Sequence, residues 1–189
     1  MTELENVEDR MTKNKTSRRM GSAAGLVLCV GLTGCGGSSG SLNQTSKGQL
    51  GTTSAQYGPL LVTLTALNTV TPGAIEPIGL TVQNVSHSAV TVDRVPGPSA
   101  LVTHNGQEVW NDGNGVAFPA VVETMTLVPG QTRAFSAVWT KVNNEDPANP
   151  AQPVAPGFYV LKAWEVMQIN GQTVTDAGHT APPITVTVE

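Results

Sequence analysis

The sequence predicts an all-β fold, and three observations carry that prediction. Apolar residues recur at every second position in short runs, as one face of a half-buried strand requires. Clusters of Gly, Pro, Asn, Asp and Ser interrupt those runs about every ten residues. No window holds the 3.6-residue apolar period of a helix that packs on one side.

The first run is 60–67, with Leu60, Val62, Leu64 and Ala66 on one face. A turn, Thr71 to Pro77, leads to 78–85, where Ile78, Leu80 and Val82 point inward. Val85-Ser86-His87-Ser88 turns into 89–95, where Val90 and Val92 share a face. Residues 100–103 and 107–110 flank Asn105-Gly106, a dipeptide suited to a type I′ hairpin because both central residues need positive φ. A further run covers 120–127, and Val128-Pro129-Gly130-Gln131 turns into 132–139, with Phe135, Ala137 and Trp139 on one side. A Pro- and Asn-rich loop spans Lys141 to Pro156. Residues 157–169 read as the longest strand, Asn170-Gly171 as a second hairpin turn, and Ile184, Val186 and Val188 as the closing strand. About seven to nine strands with this turn spacing make an immunoglobulin-like β-sandwich the expected architecture, with a small β-barrel as the alternative. Tyr159, just after the Pro156-Gly157 turn of a late strand, is placed for a tyrosine corner, its ring inward and its hydroxyl bonded back to the backbone.

Ahead of these runs the chain changes character. Lys13, Lys15, Arg18 and Arg19 form a basic stretch, and Ala23 to Leu32 an apolar one. At about ten residues the apolar stretch is too short for a membrane span, which needs about 20, and suits a signal peptide. It ends in Leu32-Thr33-Gly34-Cys35, which resembles the lipobox of bacterial lipoproteins. The resemblance implies cleavage before Cys35, a diacylglyceryl thioether on its sulfur and acylation of the new N-terminus. Residues 1–34 are then a signal peptide. Glu3, Glu5, Glu8 and Asp9 are out of place in such a segment, and a start at Met11 would leave four positive charges and no negative ones. From Gly36 to Gln56 the chain is rich in Gly, Ser, Thr and Gln. Such a composition cannot bury enough apolar surface to order itself. Residues 35–56 are therefore expected to form a flexible tether, with a reach on the order of 25 Å. The folded domain is expected at 57–189.

The same reading excludes several chemistries. Cys29 lies in the segment to be removed, and lipidation uses Cys35, so thiol catalysis, thiolate metal sites and disulfides are closed to the processed chain. From Cys35 onward there are five basic residues (Lys47, Arg94, Arg133, Lys141 and Lys162) and ten acidic ones. The cations are scattered, so no basic stripe is offered to nucleic acid. Membrane affinity falls to the lipid, where two or three acyl chains hold stably and one does not. Gly36-Gly37-Ser38-Ser39-Gly40 matches G-x-S-x-G but lacks the strand and helix that a nucleophile elbow needs. His87, His104 and His179 fall in separate turns, without partners at metal-ligand spacing. Asp112 and Glu123 stand at the first and twelfth places of a calcium-loop-like stretch, Asn111-Asp112-Gly113-Asn114-Gly115 at its head. Val116 and Ala117, however, occupy places that need an oxygen ligand and a glycine. Neither paired carboxylates nor a Ser/His/Asp set emerges. The expectation is a protein that is not an enzyme and has no cofactor and no metal.

What remains is surface contact. The Lys141–Pro156 loop carries Pro147, Pro150, Pro153 and Pro156, which restrict its conformations and lower the entropy lost on docking. The segment from Asn111 to Pro119 is the other expected contact element. Within and beside them, Trp110, Asn111, Asp112, Asn143, Asn144, Glu145, Asp146 and Trp164 are the candidate partner-binding residues. Among the tryptophans, Trp139 shares a face with Phe135 and reads as core. Trp110 ends a hairpin arm, and Trp164 falls opposite the Tyr159 face, on the outer surface or under the long loop.

An ordered series of motifs runs through this region. It comprises Leu80-Thr81-Val82-Gln83-Asn84-Val85-Ser86, then Asn105-Gly106-Gln107-Glu108-Val109-Trp110, then Glu123-Thr124. Leu127-Val128-Pro129-Gly130-Gln131-Thr132 follows, then Phe135 with Val138-Trp139, and last the stretch from Pro156 through Phe158, Tyr159, Val160 and Leu161 to Ala163. In this order the chain, over most of 78–166, resembles the intracellular proteinase inhibitor (BsuPI) family. The resemblance implies an immunoglobulin-like sandwich, and the family's founding activity is inhibition of an intracellular serine protease. This chain departs from the pattern in its export signal, which separates it from a cytoplasmic target, and in the length of its Lys141–Pro156 loop. The sequence thus reads as a lipid-anchored module on the extracytoplasmic face of a cell membrane, binding a protein partner. That partner is a protease which it inhibits or, in the alternative, an envelope protein that it engages in interaction or assembly without inhibition.

Overall fold

The computed structural model describes residues 48–71, 74–145 and 152–189. The expected signal peptide, Cys35 and the first part of the tether lie outside the described residues, as does Asp146.

The fold is an all-β sandwich. One wall is a continuous sheet of β1 (Leu50–Tyr57), β2 (Leu60–Leu67), β4 (Glu76–Asn84) and β9 (Thr132–Trp139), in that spatial order and antiparallel throughout. The short β3 (Thr69–Val70) follows β2 in the chain and belongs to the opposite wall. That wall is divided in two. One part runs in the order β3, β15 (Ile184–Val188), β12 (Gly157–Ala163), β6 (Ala100–His104), β7 (Gln107–Asn111). The other runs β14 (Gln172–Thr175), β13 (Val166–Ile169), β5 (Val90–Val95), β8 (Glu123–Leu127). A two-stranded pair, β10 (Val142–Asn143) and β11 (Gln152–Pro153), sits in the long loop.

Alternation explains the core. Leu60, Val62, Leu64 and Ala66 are buried on β2, and Ile78, Leu80 and Val82 on β4. Facing them are Ala100 and Val102, Tyr159, Leu161 and Ala163, and Ile184, Val186 and Val188, with Val92, Leu127 and Met167 from the other part. Both Asn-Gly turns form as expected, with φ of 51° and 80° at Asn105 and Gly106 and of 53° and 75° at Asn170 and Gly171. The tyrosine corner is also present. Tyr159 is buried, and its hydroxyl donates to the Ala155 carbonyl at 2.6 Å.

Three expectations need correction. The composition predicts a tether reaching residue 56, yet Leu50 to Tyr57 is strand β1, paired with β2 along its whole length. A polar strand needs no apolar face of its own when a neighbour's open edge satisfies its N–H and C=O groups. The run 120–127 is strand only from Glu123. The single strand expected at 157–169 is broken at Trp164–Glu165 into β12 and β13. Its partner breaks at the same level. β12 pairs with β6 up to Ala163↔Ala100, and pairing resumes between β13 and β5 at Val166↔Val95. Four residues, Pro96-Gly97-Pro98-Ser99, then stand opposite two. Neither proline has an N–H to give, so the ladder cannot run through. Fifteen strand segments result among the described residues, against seven to nine expected. Beyond nine, the excess comes from β1, the two-residue pieces β3, β10 and β11, the division of 157–169 into β12 and β13, and β14 after the second Asn-Gly turn.

Candidate functional site

Most of the expected contact residues gather where the end of β7 meets the root of the long loop. The join is a reciprocal amide pair. The Asn111 N–H donates to Asn144 Oδ1 at 2.9 Å, and Asn144 Nδ2 donates to the Asn111 carbonyl at 2.8 Å. The Asn144 N–H adds a bond to the Val109 carbonyl at 2.9 Å. One asparagine thus takes the place of a strand neighbour along the open edge of β7. Asn114 closes the cluster, its Nδ2 lying 3.0 Å from the Asn144 carbonyl and 3.3 Å from Glu108 Oε1. Asn111 Oδ1 also accepts from the Gly113 N–H at 2.8 Å, a local turn of the kind asparagine favours.

Asp112 faces the other way. Its carboxylate accepts from the Ser99 N–H at 2.9 Å, the Ala100 N–H at 3.0 Å and the Ser99 hydroxyl at 2.7 Å. These are amides beside the Pro96–Ser99 break, so Asp112 replaces missing ladder acceptors. The Trp164 N–H donates to the Ser99 carbonyl at 2.7 Å, which brings the half-buried Trp164 to the same place through its backbone. Asn143 Oδ1 accepts from the Glu145 N–H at 2.8 Å, and the Glu145 residue is exposed.

Trp110 is a correction. Only 6% of it is exposed, and it belongs to the core cluster. A register shift between Val102 and Thr103 turns the end of β7 so that the indole faces inward opposite Val102. It supports the site from beneath and presents nothing to a partner.

Both roots of the long loop are pinned. Lys141 adopts φ 59°, an uncommon conformation for a side chain of its kind, and the Val154 N–H donates to its carbonyl at 3.0 Å. Trp139 Nε1 donates to the Val142 carbonyl at 3.3 Å. The Tyr159 hydroxyl holds Ala155, and its ring lies between those of His104 and Trp139, at centroid distances of 4.8 and 5.3 Å. The buried Lys141 ammonium donates to the Thr71 carbonyl. Close to it lies Glu76, fully buried, with Oε1 accepting from the Leu67 N–H at 2.7 Å and Oε2 without a partner among the described residues. Burial pushes the Glu76 carboxyl up to about 7, against the pull of the Leu67 N–H and the Lys141 charge. Burial likewise lowers Lys141, while the Glu76 charge opposes that shift.

Glu76 and a second buried acid, Glu165, escape a reading by residue type. Alternation carries their signal. Glu76 stands two residues before Ile78 on the same face, and Glu165 two residues after Ala163. Glu165 is held by Arg94, with Nε to Oε2 at 2.7 Å and the second guanidinium nitrogen to Oε1 at 3.3 Å. Arg94 also reaches Glu123 at 3.1 Å and lies over the Phe135 ring, 5.2 Å from its centroid. The two acids of the calcium-loop-like stretch therefore have protein partners, Asp112 at the strand break and Glu123 on Arg94. Among the described residues no group of three His, Cys, Asp or Glu side chains is arranged to hold a metal ion.

A family model described as intracellular proteinase inhibitor (BsuPI) matches residues 65–169, more than half of the chain. The chain belongs to the BsuPI family. The BsuPI match runs from β2 to the end of β13 and takes in the amide pair, the Asp112 clamp and the whole long loop. No curated protein matches the chain. Among solved structures, the chain is similar to a mutant β-glucosidase from Listeria innocua in complex with laminaribiose, at 11% identity and a TM-score of 0.37, over 77% of this chain. It spans 16% of the length of that glucosidase. It is also similar to the CARDB domain of a Pyrococcus furiosus protein solved with di-metal ions, at 14% identity and a TM-score of 0.35, over 78% of this chain and 94% of that one. Neither likeness bears on the chemistry of this BsuPI chain.

Proposed function

We propose that this BsuPI-family chain is a proteinase inhibitor that works by surface contact, carried on the extracytoplasmic face of a cell membrane by lipid at Cys35. One observation carries the inhibitory part. Two connections, 111–122 and 141–156, are locked to one another at their roots through Asn111 and Asn144, in a chain whose family is described as proteinase inhibitors. A surface that docks without chemistry gains affinity when its loops lose little freedom on binding. Pinned roots at Asp112, Lys141, Val154 and Ala155 supply that preorganisation.

The anchor follows from Leu32-Thr33-Gly34-Cys35 after a basic and an apolar stretch. Mass spectrometry of the N-terminus from intact cells is expected to find diacylglyceryl cysteine at Cys35, and Cys35→Ala to leave an uncut, unlipidated chain. Inhibition is tested with the purified protein against a panel of secreted serine proteinases. Suppressed turnover, lost when 145–152 is replaced by a short Gly-Ser link, is the expected result. Lack of inhibition across the panel would leave an envelope interaction or assembly domain, identified by crosslinking in cells.

A further inference from the structure

Between the amide cluster and β8 lies a segment with unusual surface chemistry. Residues 115–122, Gly-Val-Ala-Phe-Pro-Ala-Val-Val, are all exposed, and none is charged or carries a polar side chain. Val121 is 63% exposed, Val116 and Val122 are each 53% exposed, and Phe118 is 37% exposed. Solvent-facing connections are ordinarily polar, and a contiguous exposed apolar stretch marks a contact surface. Beyond the Val116 N–H, which donates to the Gly113 carbonyl at 3.1 Å, the segment's backbone makes no hydrogen bond among the described residues. Its peptide groups are free to pair with another chain.

Both ends are held. On the amino side, Asn114 is tied to Glu108 and Asn144, and Asp112 to Ser99 and Ala100. On the carboxyl side, Glu123 pairs with Arg94 both in strand register and through its carboxylate. Phe118 precedes Pro119, which disfavours the helical region for Phe118 and biases it toward extended backbone. The result is a short, apolar stretch strung between two fixed posts, bent at Ala120, with one aromatic side chain at its middle.

We propose that 116–121 is the stretch of this inhibitor that lies in the proteinase cleft, with the Phe118 ring in the pocket that selects the residue before the scissile bond. The partner is then a serine proteinase that prefers a bulky apolar side chain at that position. This deepens the inhibitor reading and rests on it. A segment whose peptide groups are unpaired docks by pairing along the cleft as an added strand, and its side chains provide the selectivity. Pro119 explains why such a segment would bind without being cut. In the serine-proteinase mechanism the histidine hands its proton to the lone pair of the leaving nitrogen, and in Pro119 the ring carbon on that nitrogen crowds the approach of the imidazole.

The test uses the full-length protein and three variants, Phe118→Ala, Phe118→Arg and, as control, Phe158→Ala. Phe158 is 70% exposed on the outer face of β12, away from the segment. Inhibition constants are measured against chymotrypsin, subtilisin and trypsin, with thermal unfolding of each variant alongside. The expected result is inhibition of chymotrypsin or subtilisin by the unaltered protein, weakened at least ~30-fold by Phe118→Ala, as for an anchor residue at an interface centre. Phe158→Ala should leave it unchanged, and Phe118→Arg should shift inhibition to trypsin. Mass spectrometry after incubation should find the Phe118–Pro119 bond intact. If the protein inhibits while both Phe118 variants inhibit as well as the parent, the segment assignment is overturned and the inhibitor reading stands. Inhibition confined to trypsin, or rapid cutting within 116–121, also overturns it. No inhibition of any proteinase overturns both.

Discussion

The two walls of the sandwich reach stability by different routes. In the continuous wall, β2, β4 and β9 pair residue by residue, and Leu60, Leu64, Ile78 and Leu80 fill the space behind them. Its backbone groups are satisfied by the ladder, so apolar packing suffices. In the divided wall the ladder stops at Pro96–Ser99 and Trp164–Glu165, and polar groups take over. Asp112 accepts from Ser99 and Ala100, the Trp164 N–H donates to Ser99, and the Thr175 hydroxyl donates to the Glu165 carbonyl at 2.7 Å. Arg94 neutralises Glu165 and packs on Phe135 of the opposite wall. An interruption in a sheet thus brings charge into the interior, because each freed backbone group must find a new partner. The candidate site borders the divided wall, where polar side chains already hold the chain in place.

Mutations that treat the walls unequally sharpen this contrast. The largest loss is expected from Arg94→Ala, at ~4 kcal/mol in denaturant unfolding, because Glu165 is left buried without a counter-charge. Burial already raises the Glu165 carboxyl, with Arg94 pulling it down, so without Arg94 it rises further. The loss should therefore be smaller in mild acid than above neutrality. An equal loss at both would refute the charge account. Leu64→Ala, in the continuous wall, is expected to cost ~3 kcal/mol through an unfilled cavity. That cost should be the same at every pH at which the protein folds.

Glu76 is the exception within the continuous wall. Unfolded, it ionises near 4.5; folded, at about 7. Between those values folding takes up a proton, so stability falls as pH rises from 5 to 8, by on the order of 2 kcal/mol. Glu76→Gln should flatten this fall in pH-dependent melting, leaving the contribution of Glu165, whose carboxyl is also raised by burial. An unchanged profile would place the titration elsewhere. The smallest effect is expected from Asp112→Ala, at ~1–2 kcal/mol for the bonds lost at Ser99 and Ala100. The same change should weaken proteinase inhibition, because it loosens one end of 115–122, whereas Leu64→Ala should leave inhibition by the folded fraction intact.

Much of the continuous wall was legible residue by residue. Leu60 to Ala66 and Ile78 to Val82 alternate cleanly, and in the divided wall the two Asn-Gly turns and the Tyr159 corner sit where local chemistry puts them. Strand β1 was not legible, because its order comes from the edge of β2 and its own composition is that of a linker. The burial of Trp110 was hidden by the bulge opposite it. At the candidate site the sequence singled out both Asn111 and Asn144 but could not pair them. They stand 33 residues apart and meet only because β7 ends where the long loop begins to fold over it.

Strand, turn and inward-facing residue are properties that a few neighbouring side chains impose on their own backbone, through a period of two and the conformations each residue tolerates. Those could be written down from the chain alone. Where the divided wall breaks, which carboxylate meets which amide, and how 115–122 comes to be held at both ends all depend on groups the ladder leaves unpaired. Long-range packing chooses their partners, so these arrangements exist only once the two walls have closed on each other.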